Sequence, residues 1–162
     1  MNLFPWLLWL HVFGAIVAFG PTFAFPLIGG MGAKEPMHAN FGLRIADKIS
    51  HGMTIPLAVV QAITGVGLIL TSGRDLTRDI WLDVAIVLFA IALGFSYFVQ
   101  AKRVAKVIDM TSSPPPPPAP GAAPSGPPPA VQAAVKSIQQ GGMLLTGLIV
   151  AIIFLMVMKP GA

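Results

Sequence analysis

Four long apolar segments constrain this chain more than any other feature. They cover about residues 4–30, 53–71, 80–101 and 141–158. Each is close to the roughly 20 residues that an α-helix needs to cross a bilayer core of about 30 Å. Each ends at polar residues or at Gly/Pro punctuation. Lipid offers no hydrogen bonds to an open backbone, so segments of this length must be helices. With short connections they fold as neighbours running in alternate directions. The fold class is therefore all-α, a membrane-embedded antiparallel four-helix bundle forming one domain over 1–162.

Composition agrees and excludes much else. Only 10% of residues are charged, against about 25% in soluble domains, and mean hydropathy is +0.79. The net charge of +4 points to basic loops beside a membrane rather than to nucleic acid, which is excluded as a partner. The absence of cysteine removes disulfides, thiolate chemistry and Cys-ligated metal or iron–sulfur sites. The opening "MNLFP" has no basic residue, and the apolar run after it is too long for a signal peptide. The first segment reads as a retained span.

The connections differ in character. In loop 1, Pro36 suits a first helical turn. Beyond it Phe41, Ile45 and Ile49 fall on one side of a helix, and Arg44, Asp47, Lys48 and His51 on the other. This predicts an amphipathic helix at the membrane interface, with Gly52 and Pro56 marking the break into span 2. Loop 2, "SGRDLTRD", reads as a tight polar turn. Loop 3, about 112–130, holds ten prolines between 114 and 129. It is expected to be an extended spacer reaching about 50 Å, with docking to a proline-binding groove as the alternative. No internal repeat is evident.

Lys34, Arg44, Lys48, Lys102, Arg103, Lys106 and Lys136 lie on the side of loops 1 and 3, against Arg74, Arg78 and Lys159 on the other. The positive-inside rule then puts loops 1 and 3 in the cytoplasm and both termini outside. Trp6, Trp9 and Trp81 fall near the outer boundary, where aromatic belts form.

Against that frame the polar residues inside the spans become candidates for function. His11 lies in the outer third of span 1. At its level are Thr64 and Gly65 in span 2, with Asp83 of span 3 and Met156 of span 4 one turn farther out. The favoured role is an interhelical hydrogen bond to Thr64, Asp83 or a backbone carbonyl. The alternatives are a haem or metal ligand, with Met156 or a second chain as the other ligand, and proton handling. His38 and His51 lie most of a bilayer away, which excludes a transverse bis-histidine haem with His11 inside one chain. Gln61 shares a face with Thr64 and Gly65. Small residues at helical spacing predict close packing seams at Gly14/Ala18, along Ala90, Gly94, Tyr97 and Ala101, and at Gly147/Ala151. Pro21 and Pro26 predict a kink in span 1. His38, His51, Gln100, Gln139 and Gln140 form a loose polar group at the cytoplasmic end, where Asp47 is placed to orient His51. The sequence carries no nucleophile–base pair, no Gly-rich phosphate loop and no H-E-x-x-H, and no catalytic residue is assigned. Enzymatic activity is left open, with a non-enzymatic role favoured.

The stretches "LHVFGAIVAFGPTF" in span 1 and "IPLAVVQAITGVGLIL" in span 2 resemble a family of small bacterial four-helix integral membrane proteins of unknown function. More remotely, the span-1 histidine is similar to that of copper-resistance D-type proteins and of haem-b protoporphyrinogen oxidases. The latter resemblance implies a Lys in a later helix as partner of His11, and span 3 has no interior Lys. Together these readings give a small polytopic protein of the bacterial plasma membrane, structural or accessory in role. Its partners are the lipid bilayer and, as an expectation, other membrane subunits or further copies of itself. The alternatives are a haem-b-binding redox protein using His11 and a metal or proton transporter.

Overall fold

A computed structural model describes residues 2–73, 78–113 and 126–161. Among these there is no strand. Helix α1 (Phe4–Phe19) passes through a 3₁₀ turn (Gly20–Ala24) into α2 (Phe25–Lys34). Helix α3 (Pro36–Ile49) passes through a π turn (Ser50–Thr54) into α4 (Ile55–Ser72). Helix α5 (Ile80–Phe95) passes through a second π turn (Ser96–Gln100) into α6 (Ala101–Met110), and α7 (Pro129–Met158) is unbroken. These make four long apolar helices, Phe4–Lys34, Met37–Ser72, Ile80–Met110 and Pro129–Met158, of 30 to 36 residues. At about 1.5 Å per residue they measure roughly 45–54 Å, well beyond the hydrocarbon thickness of about 30 Å.

The extra length explains where the helices depart from the expected spans. Loop 1 is helical as expected, but no break occurs at Gly52 and Pro56. Pro56 lacks an N–H, and in a regular α-helix its ring would crowd the Gly52 carbonyl. The wider π turn just before it accommodates the ring while the helix continues. Around this turn Ser50 Oγ donates to Ala46 O at 2.9 Å. Span 3 continues past Ala101 because "VAKVI" keeps helical periodicity after hydropathy has fallen, and Val107 is fully buried. The helix that carries span 4 begins at Pro129, ahead of Gly141, since Val131, Ala134, Val135 and Ile138 hold one partly buried face. In span 1 the chain leaves α geometry at Gly20–Ala24, beside Pro21.

The packing resolves into two hairpins. Helix α1 packs on α4, and α5 packs on α7. The hairpins meet chiefly at the loop-1 end, where α3 packs on α6 and α2 touches α7. There Asn40 Nδ2 donates to Ile108 O at 2.8 Å and to Thr111 Oγ1 at 2.9 Å. Farther along, Phe19 meets Phe89 edge to face at 6.4 Å. The interfaces rest on small residues, with Gly14, Ala18, Ala58, Ala85, Ala92 and Gly141 buried. This is how helices associate in lipid, where apolar bulk gives no net attraction between them. The Gly14/Ala18 seam is where it was expected. The span-3 seam is instead Ala85 and Ala92, two turns apart, with Ala90 and Tyr97 exposed, and in span 4 Gly141 and Ile149 are buried while Gly147 is exposed. Residues 114–125 of the Pro-rich loop lie outside the described residues.

Candidate functional site: a polar seam between α1 and α4

Close approach of α1 and α4 is permitted by three glycines. A Cβ on Gly14 would stand 3.0 Å from Gln61 Oε1, one on Gly65 would stand 3.3 Å from His11 Cε1, and one on Gly67 would stand 3.3 Å from Leu7 Cδ1. Into this seam α4 directs Gln61 and Thr64, which are only 6% and 4% exposed. Gln61 Nε2 donates to the His11 carbonyl oxygen at 2.8 Å. His11 Nδ1 and Thr64 Oγ1 are 2.9 Å apart.

The Thr64 hydroxyl oxygen also lies 3.0 Å from Val60 O and 3.1 Å from Gln61 O. Where it donates to these carbonyls it accepts from the imidazole, and His11 then carries its proton on Nδ1 and leaves Nε2 bare. Gln61 Oε1 is buried without a hydrogen-bond partner. It lies against Gly14, where there is no side chain to displace it. Interhelical bonds of this kind contribute about 0.6–1.7 kcal/mol each in a membrane.

The other candidates stand in the second hairpin. Asp83 is exposed in the first turn of α5, and Met156 is partly buried on α7. Neither is a hydrogen-bond partner of His11, whose side chain bonds Thr64. Of the loop-1-end group, His51 Nδ1 lies 3.1 Å from Asp47 Oδ1, while His38, Gln139 and Gln140 are exposed. Among the described residues no three His, Asp or Glu side chains converge as a metal-binding group.

Gln100 has a role that sequence reasoning missed. Its Nε2 donates to Ile138 O at 2.9 Å, and its Oε1 is buried without a partner against Gly141, where any Cβ would collide with it. Arg103 Nη1 donates to Ser137 O at 3.3 Å and its guanidinium lies 5.6 Å over the Phe95 ring. The geometry repeats that of Gln61. In both hairpins a glutamine amide donates to a helix carbonyl, and its oxygen rests on the glycine three residues later, His11 with Gly14 and Ile138 with Gly141. The available signal was a glutamine on one helix facing a glycine on its neighbour, but which faces meet is not encoded in hydropathy.

A bundle of four long apolar helices, fastened by side-chain amides and hydroxyls inside its apolar interfaces, is a polytopic α-helical integral membrane protein. The chain belongs to the family described as "Predicted integral membrane protein (DUF2269)", whose model matches residues 5–160. No curated protein and no solved structure matches it.

Proposed function

We propose that the protein is a non-catalytic structural or accessory component of the bacterial plasma membrane, acting as a single four-span domain over 1–162. The observation that supports this reading best is the use made of its buried polar groups. Gln61, Thr64 and Gln100 all bond to neighbouring helices or to their own backbone, and His11 turns Nδ1 to Thr64 Oγ1. The bonds of Gln61, Gln100 and His11 join helix to helix. A haem held by His11 and Met156 draws no support from the geometry, because the two residues belong to different hairpins. A transport path draws none either, since the polar groups are packed against glycines rather than arranged along an open route.

In this reading loops 1 and 3 face the cytoplasm and both termini face outward, following the excess of Lys and Arg at the loop-1 end. The Pro-rich segment, about 112–130, leads into α7 as a cytoplasmic spacer, and the protein's partners are other membrane subunits or further copies of the chain. The absorbance spectrum of protein purified from haem-replete cells tests the role. A spectrum without a Soret band is expected, and stoichiometric haem would contradict it. Reporter fusions at Ser113 and Gly73 test orientation, with cytoplasmic and external signals expected respectively and the reverse pattern contradicting it.

A further inference from the structure

The two π turns fall at one depth. Measured from the end where α1 begins and α7 ends, Ser72 to Gly52, Ile80 to Gln100 and Met158 to Ile138 each span about 30 Å along the helix at about 1.5 Å per residue. That is the thickness of a hydrocarbon core. Within one turn beyond this level stand Lys48 on α3, Lys102 on α6 and Lys136 on α7, and one turn farther stand Arg44 and Lys106. Helix α6 packs on both α3 and α7, so the five cations occupy adjoining helices. All five are exposed, and among the described residues none pairs with a carboxylate. The nearby Asp47 is engaged by His51. At the opposite end, by contrast, Lys159 Nζ lies 5.9 Å from the Trp81 ring centroid.

We propose that Arg44, Lys48, Lys102, Lys106 and Lys136 form a collar that binds the phosphates of anionic phospholipid headgroups. Depth alone places these cations at the phosphate plane of one leaflet. A second observation favours lipid over a soluble anion. On α3, next to Arg44 and Lys48, the apolar side chains Met37, Phe41 and Ile45 are 91%, 63% and 39% exposed. An apolar stripe flanked by cations is the amphipathic pattern of a helix seated in a headgroup layer, where apolar and charged groups both find partners, and not of a helix in open water. Lysine ammonium groups on long apolar stems reach that plane from Cα positions one or two turns away along the helix. The proposal requires only that the protein be embedded in a bilayer, and it stands whichever leaflet the collar faces.

The test uses the full chain in phosphatidylcholine bilayers carrying trace spin-labelled phosphatidylglycerol or spin-labelled phosphatidylcholine. The motionally restricted fraction gives the preference between the two lipids at the protein surface. The wild-type chain is expected to prefer phosphatidylglycerol about fivefold, the effect of roughly one surface cation. R44Q/K48Q/K102Q/K106Q/K136Q should bring this below about twofold, as should salt near 0.5 M by screening. Replacing the four lysines with arginine should preserve the preference and guards against a folding artefact. K159Q, at the other end, should leave it unchanged. A fivefold preference that survives the glutamine substitutions, or its absence in wild type, overturns the proposal. Selective loss on adding inorganic phosphate at matched ionic strength would assign a site for free phosphate and overturn it equally.

Discussion

The contact between Gly14 and Gln61 allows a double-mutant test of how the first hairpin is held. In Gly14→Ala the new Cβ would lie 3.0 Å from Gln61 Oε1, tighter than most such contacts. The amide must give by a few tenths of an ångström, which strains its 2.8 Å bond to His11 O. The bond accounts for about 0.6–1.7 kcal/mol, and forcing an extra methyl into a packed interface costs about 1–3 kcal/mol. Against this, Ala is favoured over Gly in a helix by roughly 0.5–1 kcal/mol. The single substitution should therefore destabilise by about 0.6–4 kcal/mol. Gln61→Ala removes the same bond together with the atom that the methyl would strike. In that background Gly14→Ala should be neutral or stabilising, and the two changes should couple by about 1–2 kcal/mol. Reversible unfolding of the purified protein in detergent micelles titrated with SDS, followed by tryptophan fluorescence, measures all four variants. Additivity within about 0.5 kcal/mol would refute the claim that Gln61 is seated on Gly14.

Thr64→Val keeps the shape and removes the hydroxyl that bonds His11 Nδ1. It should cost about 0.6–1.7 kcal/mol, and ¹⁵N NMR should find the His11 proton on Nδ1 in the wild-type chain but not fixed there in the variant; a wild-type proton on Nε2 would mean that Thr64 donates, and would refute this expectation. Gly141→Ala meets Gln100, whereas Gly142 has open space beside it. The first should destabilise by about 1–3 kcal/mol and the second should be neutral or slightly stabilising, as read by the same SDS titration. Asn40→Ala removes the bonds to Ile108 O and Thr111 and should cost about 1–2 kcal/mol, with faster amide exchange in α3 and α6 than in α1 and α4. Equal exchange throughout would remove Asn40 from the join between hairpins.

The four helices were legible because lipid imposes a length and a polarity that a sequence must state openly. Their ends were not legible. Where α3, α6 and the start of α7 leave the apolar region, polar residues such as Arg44, Lys102 and Gln132 lower the hydropathy, but the helical hydrogen bonding continues without it. His11, Gln61 and Thr64 were recognised as an intramembrane set because each is polar within an apolar run and depth follows from residue count. Gln100 lies at the boundary, where a polar residue raises no question, and its bond to Ile138 O depends on the rotation of α7 about its axis. Rotation also decided the seams. Ala90 and Gly147 have the spacing of packing residues, yet Ala85, Ala92 and Gly141 are the ones that meet a neighbour. Small-residue spacing identifies faces able to pack, and the choice among them belongs to the tertiary fold.

Because the chain contains no cysteine, pairs of introduced thiols report helix neighbours without background, and this gives the most direct measurement of the two-hairpin arrangement around His11. Leu7 contacts the position of Gly67 one turn from the His11 bond, so Leu7→Cys/Gly67→Cys should be joined rapidly by a short bifunctional thiol reagent in native membranes. Leu7→Cys/Met156→Cys, which spans the two hairpins, should remain unjoined. Efficient joining of the Met156 pair with none of the Gly67 pair would contradict the pairing of α1 with α4.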